Sequence, residues 1–220
     1  MKKRILTLLA AVCLLSAVLS GCGGGSQNGT TGTTDQSTAN TQTEGPAARA
    51  AAGELNVGIA QDLDDSLDPH QTVAAGTREV LFNIFEGLVK PNSDGEMIPA
   101  VAEKYELSED GTTYTFTLRD GVKFHNGQTV TAEDVVYSIN RCAAVPEGQE
   151  KPLVAAFSAV RSVEALDEKT VTVTIAQRDL EFISYMTVAI IPAGYADQAT
   201  APVGTGPFRF VSRTPQENFI

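Results

Sequence analysis

The sequence is poor in basic residues. Its 220 residues include 16 Lys and Arg against 27 Asp and Glu, so the net charge is −11. Nucleic-acid binding depends on clustered Lys and Arg that release counterions from phosphates, and docking to anionic lipid depends on the same charge. The acidic balance therefore argues against both kinds of partner. There is no Trp, and three Cys are too few for a fold built on disulfides.

Motifs of several enzyme classes are absent as well. The chain has no G-x-x-x-x-G-K phosphate-binding loop and no G-x-S-x-G nucleophile turn. Its two histidines, His70 and His125, are far apart, and neither has a carboxylate at helical ligand spacing. We therefore expect no cofactor, no bound metal and no ATPase activity in this chain.

The first 21 residues have the pattern of a secretory signal peptide. Basic residues at positions 2–4 precede an apolar run from Ile5 to Leu19, which is shorter than the roughly 18 residues of a membrane-spanning helix. An uncleaved membrane anchor is the alternative. The next residues, Leu19-Ser20-Gly21-Cys22, resemble a bacterial lipobox, in which the cysteine becomes the first mature residue and carries lipid. The resemblance predicts a protein held by lipid on Cys22 at the extracytoplasmic face of the bacterial membrane, in the periplasmic space if the envelope has one.

Residues 22–52 are predicted to form a disordered linker. Gly23 to Gly45 consists almost entirely of Gly, Ser, Thr, Asn and Gln, which bury too little apolar area to offset the entropy of ordering. We therefore expect a folded part, residues 53–220, that can reorient on its tether.

Helical and strand patterns alternate in residues 53–220 and predict a mixed α+β fold. The clearest strand covers residues 113–118, where Thr alternates with large apolar side chains. Thr131 followed by Asp134 predicts the capped start of a helix over 132–139. The other predicted elements are strands at 55–59, 160–166, 170–175, 188–191 and 208–212, and helices at 77–88, 99–103 and 179–187.

Six segments occur in a characteristic order. They are Ser66–His70, Phe85–Leu88, Asp94-Gly95, Pro99–Glu103, Tyr114–Gly127 with its continuation Thr131–Val135, and Gly204–Phe208. Together they resemble the start of the family 5 extracellular solute-binding proteins of ABC importers, which bind oligopeptides, dipeptides or nickel.

The resemblance implies a periplasmic-binding-protein-like lobe into which a small α+β domain is inserted. Residues 53–88 and 191–220 would form lobe one, residues 89–190 the inserted domain, and a second lobe would follow Ile220. We therefore expect the chain to be truncated. The resemblance also implies that main-chain groups of Val73, Ala74 and Ala75 line the ligand cleft and pair with an extended peptide. A plain connecting loop is the alternative.

The implied function is that of a substrate-binding lipoprotein without enzymatic activity. It would act as a monomer that captures peptides or a similar small solute outside the membrane and delivers them to an ABC permease with its ATPase. Arg119, Asp120 and His125 are close enough in sequence to suggest proton transfer. However, the dipeptides Asp120-Gly121 and Asn126-Gly127 are typical of tight turns, which favours a structural role. Two alternatives stay open: a lipid-anchored hydrolase of wall peptides, and a solute sensor with the same fold.

Overall fold

The computed structural model describes Gly53 and residues 55–220. The predicted signal peptide, the predicted lipidation site Cys22 and the predicted linker lie outside the described residues. Within the described part, no helix has both the length and the apolar character needed to cross a membrane.

The described chain is a mixture of short helices and antiparallel strands. Its helices are α1 (Ala75–Leu81) and α2 (Ala132–Ala143), with 3₁₀ segments at Ala155–Ala159, Phe182–Thr187 and Asp197–Ala199. Its strands are β1 (Val89–Pro91), β2 (Met97–Pro99), β3 (Ala102–Leu107), β4 (Thr113–Leu118), β5 (Val160–Ala165), β6 (Thr170–Ile175), β7 (Arg213–Thr214) and β8 (Asn218–Phe219). Strands β3, β4, β6 and β5 form a four-stranded sheet in that order, while β1–β2 and β7–β8 are two-stranded ribbons.

The centre of the sheet follows directly from the alternation in the sequence. In β4 and β6 the apolar side chains are buried and the threonines between them are partly exposed. The antiparallel register pairs Tyr114 with Val173 and Phe116 with Val171, so one face of the sheet is continuously apolar. The predicted strand at 113–118 and the predicted hairpin of residues 160–175 are both confirmed.

Helix α2 covers this apolar face, and its predicted start is confirmed. The Thr131 hydroxyl accepts a hydrogen bond from the Asp134 N–H (3.4 Å), and the Asp134 carboxylate accepts one from the Thr131 N–H (2.8 Å), which completes the capping box. Val135, Ile139 and Cys142 are fully buried beneath the helix. Burial raises the pKa of the Cys142 thiol to about 12, so the thiol stays protonated at neutral pH.

The buried side chains form two cores. The larger one lies between the four-stranded sheet and α2 and draws on residues between Leu88 and Ile190. The smaller one collects Leu63, Leu67, Leu81, Ile84, Phe85, Ala189 and Ile191. This division runs close to the predicted domain boundaries at 88/89 and 190/191. The assignment of these parts to lobe one and an inserted domain stays a prediction.

Three predicted strands are wrong. The residues at 55–59 alternate as a strand does, yet within the described part of the chain they belong to no sheet, and Leu55 is exposed. At 208–212 Phe208 is exposed, and only the end of the segment pairs: the N–H groups of Val211 and Ser212 donate to the Ile220 carbonyl, next to the β7–β8 ribbon. A strand needs a partner for its backbone groups as well as an alternating sequence. Residues 188–191 are largely buried but form no ladder, because the Ile190 N–H donates to the Glu86 carbonyl (2.9 Å) and the Ile191 N–H to the Ser138 hydroxyl (2.9 Å).

The predicted helix at 77–88 is too long, and the one at 99–103 is wrong. Helix α1 ends at Leu81 because the following carbonyls bond to distant segments: Ile84 accepts from the Gly206 N–H (2.8 Å) and Asn83 from the Phe208 N–H (3.1 Å). Around Pro99 the chain passes from β2 into β3 instead of turning into a helix.

The predicted helix at 179–187 is only partly correct. The structure has a 3₁₀ helix over Phe182–Thr187, and it buries Phe182 and Met186. Leu180, whose spacing predicts an inward-facing side chain, is 63% exposed. The tighter 3₁₀ turn changes which residues share a face.

Candidate ligand-binding site

The predicted cleft segment, Val73–Ala75, joins a buried loop to the start of α1. Thr72, just before it, is buried, whereas the side chain of Val73 is 79% exposed. Ala75 is the first residue of the helix. The segment therefore presents an apolar side chain and main-chain groups at the surface, directly beside well-packed structure.

The loop that leads into this segment is organised by Asp68. Its carboxylate accepts a hydrogen bond from the His70 N–H (3.0 Å), and its carbonyl accepts from the Thr72 N–H (3.1 Å) and the Thr72 hydroxyl (2.9 Å). An aspartate that bonds to the backbone two residues on is typical of a tight turn. The Leu-Asp-Pro-His sequence is thus a rigid turn that fixes where Val73 emerges.

Arg141 on α2 holds this turn in place. Its guanidinium donates two hydrogen bonds to the Asp68 carboxylate, from Nη1 to Oδ1 (2.9 Å) and from Nη2 to Oδ2 (2.5 Å). Nη1 also donates to Nδ1 of His70 (2.8 Å), and Nε2 of His70 donates to the Ala189 carbonyl (2.8 Å). This arrangement requires a neutral His70 with its proton on Nε2.

The pKa values of both partners follow from this geometry. Burial, which opposes a charged imidazolium, together with the Arg141 charge lowers the pKa of His70 below its usual 6.5 despite the Ala189 hydrogen bond and the nearby Asp68 charge. Burial alone would raise the pKa of Asp68. The Arg141 hydrogen bonds and charge and the His70 N–H outweigh it and lower that pKa below 3.8.

We expect acid to weaken the fold through His70. Because its pKa is lower in the folded than in the unfolded chain, the unfolded state takes up a proton first as the pH falls. The contribution of His70 is therefore complete above about pH 6.5 and declines below it, by at most about 1.4 kcal/mol per pH unit. Asp68 acts in the same direction, but only below about pH 4. Urea unfolding at pH 7.5 and at pH 5.5 measures the difference.

The matched variant is His70→Gln, which keeps one donor and one acceptor but does not titrate. Its stability is expected to be lower at pH 7.5 and to change less between the two pH values than that of the original chain. An equal loss between pH 7.5 and 5.5 in both proteins would contradict the role of His70.

The carboxylate of Asp64 contacts the backbone of the cleft segment. Its Oδ2 accepts hydrogen bonds from the N–H of Ala74 (3.1 Å) and from the N–H of Val73 (3.3 Å). The resemblance implied that main-chain groups of this segment pair with a ligand, but these two N–H donors are already occupied within the chain. Sequence reasoning missed Asp64, because nothing in the sequence distinguishes it from its neighbours Asp62 and Asp65.

The three residues that suggested proton transfer make contacts within the fold. Nε2 of His125 donates to the Gly206 carbonyl (2.8 Å), and the His125 N–H donates to the Gly204 carbonyl (2.9 Å). Asp120 forms an ion pair with Lys169, and Nε of Arg119 donates to the Ala100 carbonyl (3.2 Å). The three side chains thus contact separate partners, which favours the structural interpretation of this motif.

The described residues offer little else that resembles a binding site. Two open hollows, of about 270 and 240 Å³, are both lined in part by Phe210, and neither is lined by the segment Val73–Ala75. Among the residues that the structure describes, no three His, Cys, Asp or Glu side chains are grouped so that they could hold a metal ion.

Comparison with known families agrees with this architecture. The family described as "Bacterial extracellular solute-binding proteins, family 5 Middle" matches residues 96–220, which is more than half of the chain. The chain belongs to this family. The resemblance noted in the sequence is thereby confirmed. Three of the six segments that suggested it lie within the matched residues: Pro99–Glu103, Tyr114–Gly127 with its continuation, and Gly204–Phe208.

The curated relatives of this chain are binding proteins that are longer than the chain itself. It is 33% identical over 155 residues to the glutathione-binding protein GsiB of Pectobacterium atrosepticum, covering 67% of this chain and 30% of that protein. It is 38% identical over 138 residues to the oligopeptide-binding protein OppA of Bacillus subtilis, covering 63% of this chain and 23% of that protein. The chain thus spans about a quarter to a third of the length of these relatives.

A solved structure confirms the fold class. The periplasmic binding protein DppA of Helicobacter pylori, in complex with the peptide STSA, matches with a TM-score of 0.64 at 27% identity, over 72% of this chain and 37% of that one. The family 5 chain therefore has the mixed α+β architecture of part of a periplasmic binding protein, as predicted.

Proposed function

We propose that this chain is part of a substrate-binding protein of an ABC importer, which captures peptides or a similar small solute outside the cytoplasm and delivers them to a permease. The observation that carries the proposal is the family match over residues 96–220. It is supported by relatives whose names state that they bind glutathione and oligopeptides, since both ligands are short chains of amide groups. Binding through the backbone suits a receptor that accepts varied peptides.

The remaining parts of the proposal concern the location of the protein in the cell and its oligomeric state. A lipid on Cys22 would keep the receptor at the membrane, and the linker of residues 22–52 would let it reorient there. We also propose that the protein acts as a monomer. We further propose that it has no catalytic activity, since Arg119, Asp120 and His125 are engaged in structural contacts.

The ligand contact in this proposal is the segment Val73–Ala75. Three features support it: the exposed Val73 side chain, the rigid turn around Asp68 that precedes it, and the nearby packing against α2 through Arg141. Binding residues are commonly carried on loops that a rigid scaffold positions.

Amide chemical shifts of the purified, isotope-labelled chain test this function. Titration with tetra-alanine and with glutathione, each to about 10 mM, detects even the millimolar affinities that correspond to about −4 kcal/mol. We expect shifts at Val73, Ala74 and Ala75 with at least one of the two probes. The amides of β4, in the middle of the sheet, are the internal control and are expected not to move. No shift with either probe, or shifts confined to other surfaces, would count against the proposal.

A further inference from the structure

Asp64 connects the cleft segment to the rest of the chain on two sides. Its Oδ2 accepts from the N–H groups of Val73 and Ala74, and its own N–H donates to the hydroxyl of Thr77 (2.8 Å). Thr77 is buried within α1. One residue thus holds both the entry to α1 and the first turn of that helix.

Asp64 is in turn held by Arg213, which comes from β7 far along the chain. Nη1 of Arg213 donates to the Asp64 carbonyl (2.5 Å), and Nη2 donates to the Leu63 carbonyl (2.7 Å). Nη2 also lies 3.3 Å from Oδ1 of Asp62. Since the Arg213 side chain is only 11% exposed, these bonds are shielded from water. The guanidinium therefore fixes the backbone that carries Asp64.

We propose that Asp64 is a positioning residue for the cleft segment and that Arg213 holds it in place; the inference rests on the proposed function. A carboxylate accepting two backbone N–H bonds is a charge-assisted contact, stronger than a neutral one. It orders Val73 and Ala74 before a ligand arrives, so that ligand binding does not bear the entropy of ordering them.

This arrangement also defines which groups of Val73 a ligand meets. Its N–H faces Asp64, whereas in the described part of the chain no donor reaches its carbonyl. The exposed side chain of Val73 is apolar. At this residue the ligand therefore contributes a hydrogen-bond donor and an apolar surface, which an amide N–H and the adjacent carbon of a peptide provide.

Hydrogen exchange of the full chain at pH 7 tests the positioning role directly. In Asp64→Ala we expect the Val73 and Ala74 amides to exchange about tenfold faster or more, because each loses a bond to a charged acceptor. The amides of Val135 and Ile139 in α2 are expected to keep their rates within about twofold. Asp64→Asn keeps an acceptor oxygen without the charge, and we expect an intermediate effect.

The matched control is Asp65→Ala, which removes an exposed carboxylate one position away and is expected to leave both amides unchanged. Unchanged exchange at Val73 and Ala74 in Asp64→Ala would overturn the proposal. So would an equal acceleration in α2, because that result assigns Asp64 to overall stability.

Tetra-alanine titration of the same variants separates this inference from the proposed function. If the original chain binds, we expect Asp64→Ala to bind about tenfold more weakly and Asp65→Ala to bind equally well. Equal binding by Asp64→Ala would overturn the positioning role. If the original chain binds neither tetra-alanine nor glutathione while the exchange result holds, the proposed function fails and the ordering of the segment by Asp64 stands.

Discussion

Gly206→Ala is expected to lower the free energy of unfolding by about 3 kcal/mol, a large fraction of the roughly 5–15 kcal/mol that holds a typical domain folded. A Cβ at this position would lie 2.5 Å from the Asn83 carbonyl oxygen and 2.6 Å from the Ile84 carbonyl carbon. Both are backbone atoms, so no side chain can move aside. The clash would also strain two bonds that Gly206 makes, its N–H to the Ile84 carbonyl and its carbonyl to Nε2 of His125.

Thermal and urea unfolding of the purified variant measure the loss. Gly76→Ala is the control for the substitution itself, because Gly76 lies in α1 and a Cβ there would meet no other part of the chain within 4 Å. There we expect a gain of about 0.5–1 kcal/mol from the better helix propensity and reduced chain entropy of alanine. If Gly206→Ala were as stable as the original chain, the close approach of the two backbones would be disproved.

Arg141→Met is expected to cost about 3 kcal/mol. The change keeps much of the apolar stem but removes the partner of Asp68, whose side chain is only 7% exposed. A buried carboxylate left without its cation costs far more than the net value of the pair. His70 also loses the donor to Nδ1, so the turn that leads to Val73 loses its attachment to α2.

Lys104→Met provides the comparison. Lys104 pairs with Glu106 at 3.1 Å, but both side chains are more than half exposed, and surface ion pairs contribute about 0–1 kcal/mol. A double variant, Arg141→Met with Asp68→Asn, is expected to recover part of the loss, because it removes the unpaired charge. Equal stability of Arg141→Met and Lys104→Met in urea unfolding would contradict the assigned role of the pair.

Local sequence was sufficient where one element carries its own signal. The alternation of Thr with Tyr114, Phe116 and Leu118 predicted β4, and the pairing of Thr131 with Asp134 predicted the start of α2. In both cases the hydrogen bonds or buried face that decide the structure are set by residues within a few positions. The family resemblance added the periplasmic-binding-protein architecture, which local patterns alone do not specify.

Long-range backbone contacts explain most of the wrong predictions. Helix α1 ends early because residues 83–85 pack against the turn at 204–206, more than 100 positions away in sequence. The strand pattern at 55–59 is correct in its alternation, but a sequence pattern cannot show whether a partner strand lies beside it. Neither fact is visible in the local sequence.

The residues that hold the candidate site in position, Asp64 and Arg213, were the hardest to predict. Asp62, Asp64 and Asp65 have the same side chain, yet only Asp64 reaches the N–H groups of Val73 and Ala74. Arg213 follows 149 positions later, directly after the residues 208–212 that were predicted to form a strand. Such residues are recognised only once the backbone places them together. The positions Val73, Ala74 and Ala75 themselves stay a prediction.

Helix α2 connects the two hydrophobic cores through hydrogen bonds at three positions along its length. Arg141 holds the turn at Asp68, the Ser138 hydroxyl accepts from the N–H of Ile191 (2.9 Å), and the Asp134 carboxylate accepts from the N–H of Ala193 (2.8 Å). These bonds bridge both predicted boundaries. In any domain closure upon ligand capture, we therefore expect both cores to rotate as one rigid body, with no hinge at residues 88–89 or 190–191.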